Sequence, residues 1–128
     1  MATWADIQDH LRSKYTLCVD KEDLIGLDFE CPDGRAQRIL VSTFTALNKS
    51  WVLFRSRVCE RSRLDPEEAL RNNAGFAVGF LALSEGFYEL VYTAQLETLD
   101  IDELELPLHA LTDTADQLEK KYTGTDQW

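Results

Sequence analysis

Seven apolar residues near the end of the chain, Ile101, Leu104, Leu108, Leu111, Ala115, Leu118 and Tyr122, recur at intervals of 3, 4, 3, 4, 3 and 4. That period places them on one face of a helix. A stripe of this length needs a broad apolar partner, and a sheet face supplies one. Asp100 and Glu103 stand at capping-box spacing before the stripe, and Lys120 and Lys121 sit where the helix dipole favours cations. Pro107 conflicts with a straight helix from Asp100: either the helix kinks there, or it begins near Pro107 after an irregular "DIDELEL" segment.

The remainder of the chain offers that sheet. Asp23 to Cys31, "DLIGLDFEC", alternates, with Ile25, Leu27 and Phe29 on one side and Asp28 and Glu30 on the other. "PDGR" at Pro32 to Arg35 turns the chain into "QRILVSTFTAL", because Pro presets φ and Gly accepts a positive φ. "NKS" at Asn48 to Ser50 turns it again into "WVLFRSRVCE". These strands predict a three-stranded antiparallel meander. "FAVGFLALSEGFYELVYTAQL" reads as a second hairpin turning at Ser84-Glu85-Gly86, with Phe76, Val78, Phe80 and Ala82 along one face of its first arm.

Two further helices are expected. Thr3 to about Lys14 has Thr3 and Asp6 at capping-box spacing, and Trp4, Ile7, Leu11 and Tyr15 share a face. In "RLDPEEALRNN", Asp65 is an N-cap, Pro66 takes the first helical position and Glu68 follows three residues after the cap. Asn72 to Gly75 stops that helix. The expected architecture is a single α+β domain over residues 1–128: helix, three-stranded meander, short helix, β-hairpin and long C-terminal helix. Its five-stranded antiparallel sheet is packed by helices, and residues 124–128 form a frayed tail.

With 13 Lys and Arg against 23 Asp and Glu, the net charge is −10. A field of that sign repels nucleic acid and anionic lipid. No apolar run approaches the roughly 20 residues of a membrane span, and "MATWADIQDHLRSK" lacks the apolar stretch of a secretory signal. A cytoplasmic protein without membrane insertion is expected.

Cys18, Cys31 and Cys59 are odd in number, which argues against a disulfide framework and for buried cysteines acting as small hydrophobes. Together with His10 and His109 they form no CxxC, HxxxH or HExxH pair, so neither a metal nor another cofactor is expected. Cys59 has Arg57 and Arg61 beside it, but a nucleophile also needs a base, and His109 falls off the apolar stripe where it would be solvated. The carboxylates of Asp100, Asp102, Glu103 and Glu105 are explained by capping and solvation rather than acid–base chemistry.

Four arginines lie in "FRSRVCERSR", Phe54 to Arg63. Strand parity puts Val52, Phe54, Ser56 and Val58 on a core face and Trp51, Leu53, Arg55, Arg57 and Cys59 on the other. Trp51, Leu53, Arg55 and Arg57 are therefore candidates for a partner or dimer surface, since Trp and Arg are enriched at interfaces. The plainer alternative has Trp51 under a helix and the arginines paired with nearby acids. Arg61 and Arg63 precede the Asp65 cap and offer an alternative anion site, although Asp65, Glu67 and Glu68 oppose it.

The order of elements resembles the type III secretion chaperone-like fold, and within it the bacterial YbjN-like proteins. The middle block "LDPEEALRNNAGFAVGFLALSEGFYELVYTAQL" and the final "LPLHALTDTADQLEKKY" carry the likeness. The resemblance implies a non-enzymatic module, commonly a homodimer, that holds an extended segment of a partner protein along apolar grooves; YbjN-like proteins are linked to regulation. A protein-binding module is the expectation, and a regulatory domain sensing a small anion through its arginines is the alternative.

Overall fold

The computed structural model describes residues 2–124. Helix α1 spans Trp4–Lys14 and begins on a complete capping box: the Asp6 amide donates to Thr3 Oγ1 and the Thr3 amide donates to Asp6 Oδ2. Six strands follow, β1 Leu17–Asp20, β2 Leu24–Glu30, β3 Ala36–Ala46, β4 Lys49–Glu60, β5 Phe80–Ser84 and β6 Phe87–Gln95. Helix α2, Pro66–Asn73, separates β4 from β5, and helix α3, Glu105–Thr123, ends the fold. The strands form one antiparallel sheet in the order β1-β2-β3-β4-β6-β5.

The meander therefore has four strands rather than three, and the sheet six rather than five. β1 is only four residues long, half-buried and exposed by turns, and its pairing with β2 slips between Leu17 and Val19. The second hairpin also starts later than Phe76, at Phe80. Gly79 holds φ at +85°, and a Cβ there would stand 3.1 Å from the Val91 carbonyl oxygen. A left-handed residue pressed against β6 interrupts the extension of the arm. Asn73 then closes part of the β5 edge, its side chain accepting from the Leu81 amide and donating to the Leu81 carbonyl. An edge so covered is a poor template for pairing with another chain.

The core lies on one face of the sheet. Ile25, Leu27, Ile39, Val41, Val52, Phe54 and Leu90 meet Ile7, Leu11, Leu104, Leu108, Leu111 and Ala115 there, all shut from solvent. Helix α3 lies chiefly on β4, with β3 and β6 beside it. Its stripe is the expected one: Leu104 to Leu118 are buried, and Ile101 and Tyr122 pack at the two ends. The helix begins at Glu105, so Pro107 occupies its third position, where no amide is needed for the helical ladder. Asp100 caps a separate 3-10 turn, Ile101–Glu103, instead of α3. At the other end Gly124 adopts φ +71° and its amide closes on the Lys120 carbonyl. Of the tail expected to fray, 124–128, Gly124 is this cap and 125–128 lie outside the described residues.

Candidate functional site

Among the described residues, no helix lies over the opposite face of the sheet. Register fixes what stands on it: Leu40, Arg55, Val91 and Phe80 form one row across four strands. Ser42, Leu53 and Thr93 form the next row, and Phe44, Trp51 and Gln95 the one after. Phe44 and Phe80 are exposed, and Leu40, Trp51, Leu53, Arg55 and Val91 are half-buried. Parity thus brings Trp51, Leu53, Arg55 and Arg57 together on this face and buries Val52, Phe54, Ser56 and Val58 beneath it. Trp51 is not under a helix. Its ring stacks on Phe44 at 6.3 Å between centroids, and its Nε1 donates to the Ala46 carbonyl.

Cys59 departs from the expected alternation. A bulge between Arg57 and Cys59 shifts the register against β6, so Val58 and Cys59 both turn inward and are fully buried. Burial pushes the Cys59 thiol up to about 11; the charge of Arg63 pulls against this and Glu60 adds to it. A thiol held neutral in this way is a poor nucleophile. Of the other cysteines, Cys31 is half-buried and Cys18 exposed, so only Cys59 is the buried small hydrophobe that was expected.

A cleft of about 670 Å³ opens on the helix-free face, lined among others by Asp28, Arg38, Leu40, Arg55, Arg57 and Glu89. Two of its arginines have evident partners. Arg38 grips Asp28 through two hydrogen bonds, which hold the Asp28 carboxyl below its ordinary range. Arg57 lies 4.1 Å over the Phe87 ring. Arg55 differs, because its Nε is shut from solvent and donates no hydrogen bond, and among the described residues its side chain enters no ion pair. An unsatisfied buried donor of this kind costs about 1–3 kcal/mol. Arg38 and Glu89 were not anticipated, because they come from β3 and β6 and only strand pairing brings them beside β4.

Arg61 and Arg63 lie apart, exposed in a 3-10 turn. Neither forms an ion pair among the described residues, and the nearby Glu67 binds Arg71. Asp65 does cap α2, accepting from the amides of Glu67 and Glu68. The depression beside Arg61 is shallow and also lined by Glu60 and Glu85.

Two charged clusters tie elements together on the helical side. Glu105, expected to be solvated, receives hydrogen bonds from His10 and Tyr15, and Lys14 and His109 lie within ion-pair distance. Burial alone would raise its pKa; the hydrogen bonds from Tyr15, His10 and Lys14 outweigh that and hold the carboxyl at about 2. Arg35 reaches from the β2–β3 turn to Asp116 and Glu119 of α3, at 2.8 and 2.9 Å, with all three side chains almost wholly buried. Neither cluster lines the two clefts described above. Among the described residues no group of His, Cys, Asp and Glu converges as a metal site, and no helix is long and apolar enough to cross a membrane.

No protein-family model matches the chain, and no curated protein matches it. Among solved structures, it is similar to a chain of the HopA1–SchA chaperone–effector complex, with a TM-score of 0.62 at 16% identity, over 88% of this chain and 89% of that one. At that identity the likeness establishes the fold. It agrees with the expected α+β architecture and does not single out YbjN-like proteins.

Proposed function

We propose that this chain is a non-enzymatic, chaperone- or adaptor-like module of the cytoplasm that acts as a homodimer and holds a segment of a partner protein across the open face of its sheet. One observation carries the reading. A full sheet face displays Leu40, Phe44, Trp51, Leu53, Phe80 and Val91 with no helix over them, in a fold shared with a chain of a chaperone–effector complex. Side chains of this kind in contiguous rows, with arginine among them, are the composition of a contact surface. The alternative, sensing a small anion through Arg61 and Arg63, draws less support, since both are exposed and acids surround them.

Photo-crosslinking tests the surface directly. p-Benzoylphenylalanine replaces Leu53 in one variant and Leu70, exposed on α2, in another. Adducts from position 53 that map to one segment of another protein, and none from position 70, are the expected outcome. Adducts only to a second copy of the chain would make this face the dimer seam, and an absence of adducts from position 53 would overturn the reading. Light scattering should give twice the 14.6 kDa chain mass for the dimer.

A further inference from the structure

We propose that the cleft around Arg55 is a carboxylate-reading subsite, which takes the side chain of an aspartate or glutamate from an extended, otherwise apolar partner segment. The inference rests on the protein-binding reading and adds the chemistry of the segment. Its basis is the imbalance within the cleft. Asp28 is already engaged by Arg38, and Arg57 is stacked on Phe87. Arg55 is half-buried at the centre of the apolar row Leu40, Val91 and Phe80, with a sequestered Nε and no ion pair among the described residues.

A guanidinium in such surroundings is matched by a carboxylate, which accepts two parallel hydrogen bonds from its fork. Glu85 and Glu89 also line the cleft and repel any anion, so a phosphate dianion, with twice the charge of a carboxylate, fits less well. A free small carboxylate leaves most of the roughly 670 Å³ unfilled. An extended peptide fills it: with a carboxylate on Arg55, its next same-side residue lies about 7 Å away, the spacing from Arg55 to Leu53 along β4. The apolar flank of the ligand and the apolar flank of Arg55 then coincide.

The test uses the full chain and a library of end-capped heptapeptides with randomised apolar flanks. The central residue is fixed as glutamate, glutamine or phosphoserine. Immobilised protein should retain glutamate peptides about tenfold better than glutamine ones, as expected for a charge-assisted pair. Arg55→Gln should bring the two to parity while keeping the apolar preference, and Arg55→Lys should recover only part of the discrimination. Removing an unsatisfied guanidinium should leave the melting temperature of Arg55→Gln unchanged or higher, which separates loss of reading from loss of fold. Equal retention of glutamate and glutamine peptides by the native chain overturns the inference and leaves protein binding standing. A preference for phosphoserine, or a glutamate preference that persists in Arg55→Gln, also overturns it. Retention of no peptide at all overturns both.

Discussion

Arg35 answers two carboxylates inside the protein, and that ratio makes it a sensitive residue. Its side chain is 10% exposed, that of Asp116 6% and that of Glu119 0%. A buried ion pair adds little net stability over an apolar substitute, but losing one partner strands the other charge. Arg35→Met would leave Asp116 and Glu119 facing each other's field without the guanidinium that bridges them. The expected loss is about 3–5 kcal/mol at neutral pH, read from urea unfolding midpoints. Acid should restore part of it, because protonation removes the stranded charge. A change under about 1 kcal/mol would show that the turn and α3 do not depend on this tie. A similar economy governs Gln37, buried on the core face: its Nε2 donates to Ser56 Oγ and the Arg57 carbonyl, while its Oε1 lacks a partner.

At the scale of elements, α1 and α3 share the apolar core and are also joined by an electrostatic contact. Tyr15 and His10 of the first helix region reach Glu105 at the start of the last, a separation of 90 residues or more in sequence. The carboxyl ordinarily titrates at 4.5 and here at about 2. A depressed carboxylate contributes stability that is complete above its unfolded value and is lost as pH falls through its folded one. Glu105→Gln should therefore cost about 2 kcal/mol at pH 7. The difference between native chain and variant should shrink between pH 4.5 and pH 2, since both then carry a neutral group. Urea midpoints at pH 7, 4 and 2.5 check this, and a constant difference across that range would place the stabilisation elsewhere.

The same joint shows why some of the fold was legible in sequence and some was not. Periodicity states which face of an element is apolar, so α1, the α3 stripe and the two faces of β4 could be read in advance. Capping chemistry located the starts of α1 and α2. Neither signal reports on a carboxylate that is buried because distant residues answer it. Glu105 reads as a solvated charge, and nothing in the sequence marks Asp116 or Glu119 as buried. β1 was too short to show a period, and the bulge that turns Cys59 inward exists only relative to β6. The candidate surface divides in the same way: Trp51, Leu53, Arg55 and Arg57 follow from parity within one strand, whereas Arg38, Val91 and Glu89 join them only through pairing.

For the molecule as a whole, the question is whether the helix-free face is open in the free protein. One isosteric substitution, made on each face, decides it. Val52 is fully buried under the helices, whereas Val91 is half-buried on the opposite side of the sheet. Val→Thr keeps the shape and the strand preference while adding a hydroxyl that needs a partner. Val52→Thr places that hydroxyl in a dry core and should cost about 1–3 kcal/mol. Val91→Thr leaves it within reach of water and should stay within about 0.5 kcal/mol. If two copies buried this face against each other, both variants would be costly. The expected result, a cost on the helical side alone, leaves the face free for a partner. It also places any dimer seam on a surface other than the rows through Leu53 and Arg55.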